Sequence, residues 1–293
     1  MKKSTLFYSL AFGRNEYYIQ SQLLIISFLA HRASNDIFRI YTDNTDFYSF
    51  LKDEIEIIHI DRNDLQKHID NNDGYTFSTK LNLIKEVASE KKYDATVFVD
   101  TDIIAYKNLK SLTEAAVTGN HYLMYKQEKN YAKESKKEYW KALNKIDTLC
   151  YQVNRNSSQW NSGVVGLPCH HEKKMIDALY IMKQLNKFGV KQHTLEQVAI
   201  SVVLECSGKI TPSTDYFIHY HSNKGAWSAI SHELENLKQQ GKSITSIIDW
   251  FTQIQTFPPE SRPKENIFYR LASKWKNSIR KRISFKVPPP IAP

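Results

Sequence analysis

The sequence predicts an α/β protein built on a mostly parallel sheet with helices on both faces. Short apolar runs with strand composition alternate with longer segments whose apolar residues recur at helical spacing, which is the pattern of consecutive strand–helix–strand units. The 293 residues, 41% hydrophobic and 24% charged, suffice for one large domain with a buried core. No uninterrupted apolar run is long enough to cross a bilayer.

The elements are justified by composition and spacing, in chain order. The predicted strands are residues 5–11, 38–42, 55–60, 95–99, 164–167 and 216–220. The predicted helices, each with apolar residues three or four positions apart, are residues 16–32, 78–90, 172–188 and 194–205. Ser78 is the expected N-cap of the second helix because its hydroxyl can accept a bond from a free backbone N–H group. The polar, Lys- and Tyr-rich residues 126–156 predict a partly helical surface excursion.

The net charge of +9 is concentrated near the C-terminus, where residues 262–293 hold nine basic residues and one acidic residue. A nucleic-acid enzyme would spread such charge around its site, so we expect no nucleic-acid partner. Apolar residues recur about every four positions from Ile267 to Ile283, with basic residues between them. This pattern predicts an amphipathic helix on an anionic membrane surface, the alternative being a helix docked on the rest of the protein. Three widely spaced cysteines predict a reducing cytoplasm, and the tail predicts peripheral placement on the inner face of the membrane.

Polar residues follow several predicted strands directly. Asp100-Thr101-Asp102 comes after the apolar strand 95–99, while residues 13–15 and 43–44 follow the first two strands. Ligands of parallel α/β sheets bind beyond the carboxyl ends of the strands. Paired carboxylates suit a hard divalent cation whose water ligands a substrate phosphate can replace. Asp100 and Asp102 are therefore candidate ligands of Mn²⁺ or Mg²⁺, the alternative being a solvated turn or a helix cap.

Three later features add to this candidate site. His219 and His221 lie two residues apart on a predicted strand, hence on one face, and Lys224 follows them. A histidine can complete a carboxylate-held metal site, and a lysine can neutralise phosphate oxygens. Asn161-Ser162-Gly163 could bind sugar hydroxyls, with Gly163 allowing the sugar to approach closely. Glu196-Gln197 lies at the start of an otherwise apolar helix. Each feature also has a structural explanation, respectively a core histidine, a turn, and an acid favoured by the helix dipole.

In their shared order, these residues resemble the GT-A-fold nucleotide-sugar glycosyltransferases, most closely glycosyltransferase family 8, over residues 4–227. The matching segments are Asp100-Thr101-Asp102 as the Asp-x-Asp metal motif, Trp160-Asn161-Ser162-Gly163-Val164 as the donor-sugar element, Glu196-Gln197 as the Asp-Gln pair, and His219-Tyr220 with Lys224 and Trp227 as the late His…Lys-Pro-Trp element. The chain departs from that pattern at Glu196, where Asp is usual, and at Ala226, where Pro is usual.

The resemblance implies a GT-A catalytic domain over residues 1–227 and a C-terminal helical extension with a basic amphipathic tail over 228–293. It implies a hexosyltransferase of bacterial surface polysaccharide synthesis. Such an enzyme moves a sugar from a nucleoside-diphosphate sugar, expected to be a UDP-sugar, to a hydroxyl of a saccharide or lipid-linked glycan, with retention. The implied metal ligands are Asp100, Asp102 and His219, with His221 as the alternate. The implied nucleotide-binding residues are Ala11, Phe12, Asn15, Asp43, Lys80, Asp100, Thr101 and Lys224, and the implied catalytic residues are Asn161, Glu196 and Gln197.

Two other functions share these features. A catalytically inactive GT-A-fold protein that binds carbohydrate would keep the fold without turnover. A sugar-phosphate nucleotidyltransferase would share the metal acids, but it needs a glycine-rich N-terminal loop, and residues 11–15 contain only one glycine.

Overall fold

The structure, a computed structural model, describes residues 4–72, 74–116, 118–190, 192–254 and 256–260. The strands are β1 (Thr5–Ala11), β2 (Ile37–Thr42), β3 (Glu56–His59), β4 (Ala95–Val99), β5 (Ile103–Ala105), β6 (His121–Met124), β7 (Gln127–Asn130), β8 (Ser158–Trp160), β9 (Val164–Pro168), β10 (Lys209–Pro212) and β11 (Phe217–His219). The α-helices are α1 (Asn15–His31), α2 (Arg62–Asp70), α3 (Ser78–Ser89), α4 (Lys110–Ala116), α5 (Lys137–Leu143), α6 (Glu172–Lys187), α7 (Leu195–Ser207), α8 (Lys224–Gln239) and α9 (Ile244–Thr252). Short 3₁₀ helices cover Thr45–Leu51 and Glu134–Lys136.

The central sheet is mixed and mostly parallel, as the sequence predicts. Its strand order is β10-β6-β9-β4-β1-β2-β3, and only β9 runs antiparallel to its neighbours. Two antiparallel pairs lie outside this sheet, β5 with β11 and β7 with β8. The β5–β11 pair matters for the site. β5 follows β4 closely in the chain and β11 precedes Lys224, so their pairing brings the residues after β4 next to the segment that leads to Lys224.

Helices cover both faces of the sheet, and the alternation of side chains along β1 explains why. Leu6 and Tyr8 are buried in one apolar cluster with α3, α6 and α7, while Phe7 and Ala11 are buried in another with α1, α4, α8 and α9. Successive strand side chains point to opposite faces, so an uninterrupted apolar strand requires apolar cover on both sides. This confirms the predicted fold class.

Two local predictions are wrong. Ser78 does not cap α3, because Phe77 is the N-cap and the Ser78 hydroxyl donates to the carbonyl of His68 in the adjoining α2. Residues 126–156 are partly helical, as predicted, but they are not simply a surface excursion. Three tyrosines of this segment are buried in the core on the α7 side of the sheet, namely Tyr131, Tyr139 and Tyr151. Their spacing follows neither the helical nor the strand period, so the sequence pattern does not reveal them.

The predicted division at residue 227 stays a prediction. It falls inside α8, which together with α9 packs on α1. Trp227, Leu234 and Phe251 are buried in the same apolar cluster as Phe7 of β1. The predicted tail helix within 262–293 lies outside the described residues. Within the described ranges, every helix is too short or too polar to span a bilayer.

A buried cation joins β2 to its neighbours and supports a stability prediction. The Arg39 side chain is 7% exposed and contacts Glu56 and Glu90, each at 2.6 Å. We expect Arg39→Met to lower the free energy of unfolding by about 1–3 kcal/mol, because it leaves two carboxylates together without their shared cation. Urea unfolding measures this change. Arg32→Met, which removes a more exposed pair with Glu54, should cost under about 1 kcal/mol. Equal losses in the two variants would contradict the prediction.

Candidate active site

A cleft of about 860 Å³ opens at the carboxyl ends of β1 and β4. Its volume lies within the range of roughly 300–1,000 Å³ that is typical of small-molecule sites. Most of the residues that the sequence singles out line it, namely Phe12, Lys80, Asp100, Thr101, Asp102, Asn161, Glu196, Gln197, His219, His221 and Lys224. Residues separated by more than two hundred positions therefore meet in one cavity.

Asp100 is held from both sides as the chain leaves β4. Its N–H donates to the carbonyl of Gly163 at 2.8 Å, which continues the β4–β9 pairing past the end of the strand. Its carboxylate accepts hydrogen bonds from Lys80 Nζ at 2.9 and 3.1 Å. Lys80 is 7% exposed and also donates to the carbonyl of Ser162 at 2.7 Å. In this structure Lys80, implied to be a nucleotide contact, joins the Asp-x-Asp segment to the Asn-Ser-Gly segment.

Asp102 lies between two potential cations. Its Oδ1 is 3.1 Å from His219 Nε2, and its Oδ2 is 3.4 Å from Lys224 Nζ. Burial alone would raise the pKa of Asp102, but its hydrogen bond with His219 and the charges of His219 and Lys224 lower that pKa to about 2. The carboxylate is therefore ionised at neutral pH, as a metal ligand must be.

Asp100, Asp102 and His219 form a group that could hold a metal ion, because one ligand atom from each lies within 4.8 Å of the others. Two carboxylate oxygens and one imidazole nitrogen fit Mn²⁺ or Mg²⁺ by their chemistry. His221 is outside this group, although its ring lies 4.5 Å from that of His219. Burial and the neighbouring His219 lower the pKa of His221, which favours its neutral form. The geometry thus brings together the three ligands that the resemblance implies, with His219 rather than His221.

Gly163 provides the room that the His219 ring occupies. A Cβ at this position would lie 2.8 Å from His219 Cε1 and Nδ1, closer than side-chain carbons pack. The sequence predicts that this glycine allows close approach of a sugar, but the group that approaches it is the imidazole.

We expect Gly163→Ala to displace His219 and to weaken Mn²⁺ binding by about tenfold or more, because disturbing the support of a ligand typically costs that much. Calorimetric titration of Mn²⁺ measures it. Gly225→Ala is the matched control, since a Cβ there meets nothing within 4 Å. Unchanged Mn²⁺ affinity in Gly163→Ala would contradict the prediction.

Glu196 and Gln197 lie in the first turn of α7 and line the cleft. Glu196 is 5% exposed, and its carboxylate accepts a short hydrogen bond from the Tyr75 hydroxyl. Burial raises the pKa of Glu196, and the Lys80 charge and the Tyr75 hydrogen bond offset only part of that rise. Gln197 Oε1 accepts from the Ser162 N–H at 3.3 Å. The pair therefore lies beside the Asn-Ser-Gly segment, with a buried acid facing the cavity.

Three of the implied nucleotide-binding residues do not line the cleft. Ala11 is fully buried, and Asn15 lines a smaller neighbouring cavity between α1 and α8. The Asp43 side chain is 4% exposed and bonds to Arg62 and to Tyr18, each at 2.5 Å. Their proposed contacts with a nucleotide stay predictions.

Sequence reasoning missed several residues that line the cleft or bond to its lining. Tyr75 is not part of the lining, but it bonds to Glu196, from which it is separated by 121 positions, and it belongs to no motif that could have revealed it. Tyr17 lines the cleft beside Arg14, which the sequence already places among the polar residues after the first strand. The position of Tyr17 shortly after β1 could have identified it too, since side chains following a parallel strand face the ligand edge of the sheet. Lys136 and Tyr139 line the cleft as well, and both belong to the segment predicted to be a surface excursion.

Searched against protein-family models and against curated proteins, the sequence matches none. Among solved structures, the chain is similar to the apo structure of WbbM, a bifunctional glycosyltransferase, with a TM-score of 0.46 and 12% sequence identity over 73% of this chain. The chain spans 39% of the length of that structure.

Proposed function

We propose that the protein is a metal-dependent glycosyltransferase of the GT-A type, similar to glycosyltransferase family 8. The observation that carries the proposal is the grouping of Asp100, Asp102 and His219 beside Lys224, in a cleft at the carboxyl ends of β1 and β4. The donor is a nucleoside-diphosphate sugar, with UDP as the nucleotide, and the acceptor is a hydroxyl of a saccharide or lipid-linked glycan.

Departure of a nucleoside diphosphate requires positive charge near its phosphates. Asp100, Asp102 and His219 would hold Mn²⁺ or Mg²⁺, which supplies Lewis-acid stabilisation of the leaving diphosphate when bound. The Lys224 ammonium lies 3.4 Å from Asp102 and adds a second positive charge to the same place. Burial would lower the pKa of Lys224, but the charge of Asp102 and the bond to Glu16 raise it, so this lysine stays protonated at neutral pH.

The sugar would lie between the metal group and the start of α7. There Asn161 Oδ1 accepts from the Gly163 N–H at 2.9 Å, which fixes its amide at the edge of the cavity. The Glu196 carboxylate and the Gln197 amide, which lie beside the same segment, would flank the reacting carbon. We propose that transfer proceeds with retention of configuration, and NMR of the new linkage tests this.

A donor screen tests the proposed function. Release of UDP or GDP from a panel of nucleotide sugars is measured with Mn²⁺ for the wild type and for Asp102→Ala. We expect one donor to be consumed by the wild type and spared by the variant. Metal-dependent donor binding without release would indicate an inactive carbohydrate-binding protein, and release of pyrophosphate from a nucleoside triphosphate and a sugar phosphate would indicate a nucleotidyltransferase.

We also propose that the basic segment 262–293 places the enzyme on an anionic membrane surface, at the inner face, where lipid-linked acceptors of bacterial surface polysaccharides are found. Deleting residues 262–293 is expected to abolish sedimentation with phosphatidylglycerol liposomes and to leave donor hydrolysis unchanged. Equal sedimentation of the truncated protein would overturn this placement.

A further inference from the structure

The short segment after α9 lies against the loop that connects His219 to Lys224. Asn223 Nδ2 donates to the Pro259 carbonyl at 2.8 Å, and Ser222 Oγ donates to the Glu260 carbonyl at 3.2 Å. The Phe257 ring is stacked on Trp227 of α8, with ring centroids 5.8 Å apart. Residues 256–260 therefore contact the end of this loop and the first turn of α8.

A chain of hydrogen bonds runs from this segment to the candidate metal ligand. The His219 N–H donates to Tyr125 Oη at 3.0 Å, and the Tyr125 hydroxyl donates to Glu260 Oε1 at 2.5 Å. The Tyr125 ring also meets the His219 ring edge-on, with centroids 5.2 Å apart. Lys126 Nζ lies 3.3 Å from the same Glu260 oxygen and balances its charge. Tyr125 thus contacts His219 through both its hydroxyl and its ring.

We infer that Tyr125 and Glu260 are positioning residues for His219. The inference rests on the proposed function, in which His219 is a metal ligand. Tyr125 is 2% exposed, and its hydroxyl bonds to both His219 and Glu260. Glu260 accepts the one proton of that hydroxyl and so directs the oxygen lone pairs toward the His219 N–H.

Mn²⁺ titration of the full-length protein without donor tests the inference. Tyr125→Phe keeps the ring and removes the hydroxyl, and Glu260→Ala removes the acceptor. Each is expected to weaken Mn²⁺ binding by about tenfold, the effect typical of residues that orient a ligand. Glu260→Gln keeps an oxygen that can accept from Tyr125 and should bind Mn²⁺ like the wild type. The double variant Tyr125→Phe/Glu260→Ala should bind Mn²⁺ no more weakly than Tyr125→Phe alone, because both changes break the same chain of hydrogen bonds.

Tyr106→Phe is the matched control, since the Tyr106 hydroxyl donates to the Thr214 carbonyl, away from His219. Mn²⁺ affinity in Tyr125→Phe equal to that of the wild type, or equal weakening by Glu260→Gln and Glu260→Ala, would overturn the inference. If Tyr125→Phe does not fold by circular dichroism, the two Glu260 variants decide. A wild-type protein that binds no Mn²⁺ would instead contradict the proposed function. Failure of the inference and failure of the proposed function are therefore distinguishable.

Discussion

Asp102→Asn is expected to reduce donor turnover by about 10²–10³-fold, which corresponds to the roughly 3–4 kcal/mol of charge stabilisation lost when one electrostatic group is removed from an active site. The side chain of Asp102 is 14% exposed and lies between His219 and Lys224. Because its pKa is about 2, the wild type carries a full negative charge there at neutral pH. Asparagine keeps the size of the side chain and removes that charge.

The loss of activity in Asp102→Asn should have two components, weaker Mn²⁺ binding and slower turnover, which can be measured separately. The affinity for Mn²⁺ should fall because one anionic ligand is gone. Turnover at saturating Mn²⁺ should remain low, because Lys224 also loses the carboxylate that holds it in place. Steady-state kinetics over a Mn²⁺ series measures both.

Asp64→Asn is a matched control, because Asp64 is an exposed aspartate whose ion pair with Lys67 lies on α2, outside the residues that line the cleft. It should leave turnover and Mn²⁺ affinity unchanged. An Asp102→Asn enzyme as active as the wild type, or a wild type fully active in EDTA, would refute the metal assignment.

The part of the site that the sequence predicts is the part set by regular elements. β4 is a compact apolar strand, so the residues that follow it had to lie at an edge of the sheet. The same reasoning could not predict β5 or β6, which are three and four residues long and too short to show a period. Their positions are set by pairing with β11 and with β9 and β10, which are distant in sequence.

The contacts that Gly163 and Lys80 make with other segments could not be predicted from the sequence. The sequence indicates that a small residue is needed at Gly163, but not that an imidazole fills the space. The sequence places Lys80 on a helix, where the resemblance implies a nucleotide contact. In the structure the Lys80 ammonium donates hydrogen bonds to Asp100 and to the Ser162 carbonyl, which the sequence does not indicate. Which partner a buried polar group finds depends on how α3, β4 and β9 pack, and no local pattern encodes that.

Glu196→Gln is expected to lower turnover by about 10²–10³-fold and to change its pH dependence. Cleavage of a bond at an anomeric carbon develops positive charge on the sugar, and a carboxylate in a low-dielectric site stabilises that charge. Burial raises the pKa of Glu196, so the wild type should lose activity on acidification at a pH above the ordinary glutamate value of about 4.3. Asp102 does not account for such a loss, because its pKa lies far lower, at about 2.

Tyr75→Phe tests the direction in which the pH dependence should move. The Tyr75 hydrogen bond lowers the pKa of Glu196, so its removal should raise that pKa and move the loss of activity to still higher pH. Glu205→Gln is the matched control, a glutamate on the same helix whose pKa burial also raises but which bonds to the Ser158 N–H, away from the cleft. Rate–pH profiles of the four proteins decide: an acid limb that stays in Glu196→Gln, or that moves to lower pH in Tyr75→Phe, would show that the ionisation of Glu196 does not govern the transfer step.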